Sequence, residues 1–122
     1  MSGAAAKTTA DQGAVEQALA GLRRDFCRGL EERICRIETA RVSLGTGAQG
    51  TAGALNVISA EAHRISGVAG SLGLASVGNM ARDLETDVEG LPKGALPVAR
   101  AAELDKQVER LLDLLEEHLE DD

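Results

Sequence analysis

Apolar residues recur every three or four positions from Val15 onward: Val15, Leu19, Leu22, Phe26, Leu30, Ile34 and Ile37. That spacing is the period of one helix face. It predicts a first helix over 12–42, with Asp11 as N-cap. Residues 1–11 are small and polar and read as a disordered tail. SLGTGAQG, at 43–50, holds three glycines and reads as a loop. A second helix is expected from Thr51, a candidate N-cap, with the stripe Leu55, Ile58, Ala62, Ile65 and Ala69, fraying toward Gly70 or Gly73. A third, over 74–90, turns Leu74, Val77, Met80, Ala81, Leu84 and Val88 inward. GLPKGALP, at 90–97, carries both prolines and must turn. A fourth helix, over 97–119, buries Val98, Leu104, Val108, Leu111, Leu112 and Leu115. Short connections place consecutive helices side by side. The expected fold is all-α: an antiparallel four-helix bundle over 12–122 behind the tail.

Composition agrees and narrows the function. Twenty alanines and sixteen leucines stand against one phenylalanine and no tyrosine or tryptophan. The core is therefore aliphatic, and platforms that stack bases on aromatic rings are excluded. The net charge is −7 and uneven. Residues 13–42 carry six arginines against five acids, 43–80 hold only Glu61 and Arg64, and 81–122 hold thirteen acids against five bases. An acidic chain is a poor partner for nucleic acid. Cys27 and Cys35 are about 12 Å apart along a helix, too far for a disulfide. They form no zinc-type cluster with histidine, and no metal site is expected. There is no secretory leader and no apolar run long enough for a membrane span, so a cytoplasmic protein is expected. Gly45, Gly47 and Gly50 match G-x-G-x-x-G but follow a helix rather than a strand, which makes the match a loop coincidence.

The second helix carries the chemistry. His63 lies just off its apolar stripe, and its ridge neighbours are Asn56, Ser59, Ala60, Ser66, Gly67 and Gly70, all small or uncharged. The imidazole thus stands on a low surface, unless it is an ordinary half-buried histidine. A mid-helix glycine costs about 1 kcal/mol against alanine. Gly67 needs either close packing by a neighbouring helix or access for a partner to offset that loss. No second ligand stands near enough on the helix for a metal. His118 lies among Glu116, Glu117 and Glu120 and is expected at a solvated acidic end.

The run Ala62-His63-Arg64-Ile65-Ser66-Gly67-Val68-Ala69-Gly70-Ser71-Leu72-Gly73, followed by Met80-Ala81-Arg82-Asp83-Leu84-Glu85, resembles the histidine-containing phosphotransfer (HPt) domains of two-component phosphorelays. The shared features are the histidine, the glycine four residues on, the Leu-Gly pair and the Leu-Glu pair. The resemblance implies a phosphocarrier without autokinase activity. His63 would take a phosphoryl group from one receiver-domain aspartate and give it to another, with Nε2 as the attacking nitrogen. Response-regulator receiver domains and a hybrid histidine kinase would be its partners. It would need no cofactor of its own, because the receiver supplies Mg²⁺. An imidazole suits the task because its neutral form is nucleophilic at cell pH.

One position departs from the pattern. The family usually has lysine three residues after the histidine, where this chain has Ser66. Ser66 can hydrogen-bond a phosphate but brings no charge, and Arg64 is the nearest replacement cation. The expected docking residues are Asn56, Ser59, Ala60, Gly67 and Gly70, flanked by the arginine-rich first helix. A monomer is expected, with no nucleic acid or membrane partner. Two alternatives are a helical adaptor that carries no phosphate and a chemotaxis-kinase-type phosphorylated domain fed by a separate ATP-binding module.

Overall fold

The computed structural model of the chain describes the backbone of residues 2–91 and 96–120 and the side chains of residues 12–91 and 96–119. Among the described residues there are four helices and no strand: α1 (Ser2–Val42), α2 (Ala48–Ser71), α3 (Ala75–Glu89) and α4 (Val98–Glu120). Each helix packs on its two neighbours, in the ring α1–α2–α3–α4. Pairings of distant residues give the directions. Arg23 meets Leu72 and Arg33 meets Glu61 across α1 and α2, while Arg41 meets Asp105 across α1 and α4. Arg23–Leu72 with Arg33–Glu61 makes α1 and α2 antiparallel, and Cys27–His118 with Arg41–Asp105 makes α1 and α4 antiparallel.

The core is the predicted aliphatic one. Leu30, Ile37, Ile58, Ala62, Ile65, Ala69, Val77, Ala81, Leu104, Val108, Leu111 and Leu115 are fully buried, with Leu84 nearly so. Three residues expected inside are not. Val15, Leu22 and Val98 are 57%, 53% and 87% exposed. At 41 residues α1 is about 60 Å long, whereas α2, at 24 residues, spans about 36 Å. α2 ends where Leu72 meets Arg23, so the apolar stripe of α1 before Arg23 runs past the end of α2. Val98 opens α4 in its first turn, at the rim of the bundle. The tail expected over residues 1–11 falls on residues whose side chains lie outside those described; α1 is helical from Ser2. Residues 92–95 of the expected turn also lie outside them.

The turns explain the shifted boundaries. α2 starts at Ala48, three residues before the expected cap, after Gly45 and Gly47 take φ of 84° and 117°. Thr51 is buried rather than capping. Its Oγ1 accepts the Gly45 N–H at 3.0 Å, which stitches the loop to the first turn of α2. At the other end Gly73 takes φ 74°. Leu74 N–H reaches Ala69 O at 2.9 Å and Gly73 N–H reaches Gly70 O at 3.4 Å, the paired bonds of a Schellman ending. The Arg23 Nε–H adds a bond to Leu72 O at 2.9 Å. This stop sets how α3 folds back along α2, and so which α3 residues face His63.

Candidate functional site

His63 sits in the middle of α2 with its side chain 75% exposed. Its Nδ1 is 2.6 Å from Oε2 of Glu85 on α3, whose side chain is only 16% exposed. A proton on Nδ1 would face that carboxylate. A ring held in this way presents the lone pair of Nε2 on its far side, away from α3. Glu85 belongs to the Leu84-Glu85 pair of the sequence pattern, which by itself gives the acid no role. The signal available was an acid directly after a buried leucine on the helix that follows the histidine.

The close approach of α3 makes this contact possible. Gly78 is buried, and a Cβ there would lie 3.5 Å from Gly70 N, 3.6 Å from Ser66 O and 3.7 Å from Ala69 Cβ. The two backbones therefore lie close: a methyl group would make ordinary contact there, and a longer side chain would push them apart. Gly67 behaves in the opposite way. It is exposed, and a Cβ there would meet nothing within 4 Å. Packing by a neighbouring helix is thus not what Gly67 serves; the space beside it is open. Gly70 is likewise exposed and unobstructed.

Asn56, Ser59, Ala60, His63 and Arg64 of α2 line one shallow concavity, with Glu85 and Glu89 of α3 as its wall. Five of the sequence-predicted site residues are therefore brought together. Ser66, Gly67 and Gly70 lie outside it. Ser66 Oγ–H donates to His63 O at 2.9 Å, so its proton is spent on its own helix. At about 100° per residue, Ser66 falls on the α3 side of His63 and Arg64 on the α1 side. Arg64 is exposed and makes no ion pair among the described residues. Arg64 lines the same concavity as His63, Glu85 and Glu89.

The arginines of α1 are largely occupied. Arg33 and Arg36 meet the buried Glu61 at 3.0 and 3.4 Å, and Arg36 also meets Glu32 at 2.6 Å. Arg41 holds Asp105 through two bonds, at 2.6 and 3.1 Å, and that hydrogen bond raises its pKa above the ordinary arginine value. Arg28 pairs with Asp25 at 3.2 Å. Glu61 is the single acid between residues 43 and 80, and it lies on the buried side of α2. Its position among apolar residues was the available clue to a cross-helix pair.

The remaining candidates have other surroundings. His118 is half-buried, and its carbonyl accepts the Cys27 thiol at 3.9 Å. Neither cysteine is in a disulfide. Among the described residues no helix is long and apolar enough to cross a membrane, and no group of histidine, cysteine and carboxylate side chains could hold a metal.

Comparison with known proteins places this geometry. The family model described as Hpt domain matches residues 21–121, from inside α1 to beyond α4. No curated protein and no solved structure matches the chain. The matched span takes in His63, Glu85, the second half of α1 and all of α2, α3 and α4. The chain belongs to the Hpt domain family, whose members serve phosphotransfer in two-component systems.

Proposed function

We propose that His63 carries a phosphoryl group on Nε2 between receiver-domain aspartates in a multistep phosphorelay. The observation that carries this reading is the pairing of a 75% exposed imidazole with a carboxylate 2.6 Å from Nδ1. In the transfer, the Nε2 lone pair forms a P–N bond while the P–O bond to the receiver's aspartate breaks, returning that aspartate as carboxylate. The ring then has both nitrogens substituted and gains positive charge. The Glu85 carboxylate, already on Nδ1–H, offsets that charge without moving. Onward transfer reverses the steps, and the ring is left neutral with its proton still on Nδ1.

Most of the remaining catalysis is positioning and neutralisation of phosphoryl charge. The receiver supplies Mg²⁺ for that purpose. On this chain Arg64 is the supporting cation in place of the family's lysine, because it lines the concavity beside His63 and has no competing ion pair among the described residues. Ser66 contributes little to phosphate binding while its hydroxyl is bonded to His63 O. Asn56, Ser59 and Ala60 floor the concavity, and Gly67 and Gly70 keep the adjoining surface low for a partner. A hybrid histidine kinase is the upstream source of the phosphoryl group.

The test is to mix the protein with a receiver carrying radiolabelled aspartyl phosphate and to compare wild type with His63→Gln. Acid-labile, base-stable label on the wild type alone is the expected result. Receiver binding with no label on the wild type would make the chain an adaptor.

A further inference from the structure

The α1–α4 edge of the bundle lies opposite the α2–α3 edge that carries His63 and Glu85. An open groove of about 700 Å³ runs along it. Buried Ile34, exposed Cys35 and half-buried Leu119 form its apolar floor. Its rim is acidic, with Glu31, Glu32 and Glu38 on α1 and Glu116 on α4 against Arg28 alone. The cations of this edge are already taken. Arg28 meets Asp25 at 3.2 Å, Arg36 meets Glu32 at 2.6 Å, and Arg41, one turn beyond Glu38, holds Asp105 and Glu109. Glu31, Glu38 and Glu116 have no hydrogen bond or salt bridge among the described residues, and Glu38 adds only to the field around Arg41.

We infer that this groove docks a basic amphipathic helix of a partner protein, on the side of the bundle away from His63. A partner anchored here leaves the His63 concavity open, so anchoring and phosphoryl exchange proceed together.

Shape and charge define the occupant. Arg28 and Glu38 are ten residues apart, about 15 Å along α1, which is the length of nearly three helical turns. Glu31 and Glu38 are seven residues apart and share one face of α1, about 10 Å from each other. A helix lying in the groove meets them with two basic residues at the same two-turn spacing, and meets Glu116 on the other rim with a third. The apolar stripe between those basic residues covers Cys35 and Leu119. Like charges around an apolar floor repel one another, and a cationic partner relieves that repulsion as it covers the floor. A second copy of the chain, with its net charge of −7, would bring more negative charge to the same rim, as would nucleic acid or an anionic membrane. A groove of this length buries little surface, so binding is weak and salt-dependent, with a Kd on the order of 10 μM.

The probe is a fluorescein-labelled helical peptide with two lysines seven positions apart on one side of a leucine stripe and an arginine on the other. Fluorescence anisotropy reads its binding to the full chain. Glu31→Lys and Glu116→Lys are each expected to weaken binding on the order of 10-fold, and so is replacement of the peptide leucines by serine. Asp83→Lys, on α3, leaves binding unchanged. Bound peptide is expected to slow alkylation of Cys35 by N-ethylmaleimide, a readout confined to the groove, while loading of His63 by potassium phosphoramidate keeps its wild-type rate. Unchanged helical circular dichroism in the variants separates docking from folding. Wild-type affinity in both Glu→Lys variants, or unslowed alkylation of Cys35 with peptide bound, overturns the groove. Equal affinity for the serine peptide reduces the interaction to bulk charge and overturns the amphipathic occupant. Slowed loading of His63 overturns the independence of the two edges.

Discussion

The two flanks of α2 are built for opposite ends. Toward α3 the backbones close to near contact at Gly78, and Glu85 locks one nitrogen of His63. Toward α1 the helices stand apart over two cavities, and the contact between them is an ion triad with solvent access. One flank sets a carboxylate against the ring, while the other leaves a surface open. The comparison shows how a helix with almost no tall polar side chains orients a reactive ring. Orientation comes from the neighbouring helix, and exposure comes from the small residues on the helix itself.

Removing the lock should give the largest effect. Glu85→Gln is expected to slow phosphoryl acceptance by about 10- to 100-fold, because the amide can favour the wrong ring tautomer. Glu85 acts through His63 as a positioning residue. Nitrogen-15 chemical shifts of the ring should therefore show Nδ1–H losing its dominance, a change that lost stability alone would not produce. Forcing the α3 flank open comes next. Gly78→Leu is expected to cost about 1–3 kcal/mol by overpacking, read from denaturant melts. Gly78→Ala should be nearly neutral, since its Cβ would sit at ordinary contact distance from Gly70, Ser66 and Ala69.

On the α1 flank, Glu61→Ala should cost about 1–2 kcal/mol, because it leaves two guanidinium groups without their shared acceptor. The effect is moderated by solvent, since Arg33 and Arg36 are 27% and 45% exposed. Gly67→Ala gives the smallest change and the opposite sign. It should stabilise the protein by about 0.5–1 kcal/mol, as helix propensity improves in open space. If Gly67→Ala proves destabilising, the open surface beside His63 is not as described.

The bundle was legible because a helix in a small domain must bury one stripe, and the stripes of α2, α3 and α4 repeat at helical spacing. The stripe of α1 was legible too, but its partners were not. Sequence period says which residues share a face, while helix length and the position of the next turn decide whether anything covers them. Val15 and Leu22 were therefore expected inside and lie exposed. His63 and its bare ridge could be read directly, since both belong to one helix. Glu85 and the Arg33–Glu61–Arg36 triad could not, because they depend on how far each hairpin returns along its neighbour. Gly73 and the Schellman bonds set that register for α2 and α3. Ser66 has a hydroxyl that suits a phosphate, yet the carbonyl three residues back takes its proton.

The most direct test of the account locates the phosphoryl group itself. The protein is loaded with potassium phosphoramidate and examined by phosphorus-31 NMR together with nitrogen-15-edited spectra of the two histidines. The account predicts a single phosphohistidine at His63, bonded through Nε2, with the proton kept on Nδ1. A phosphoryl group on Nδ1 of His63, or on His118 instead, would contradict it.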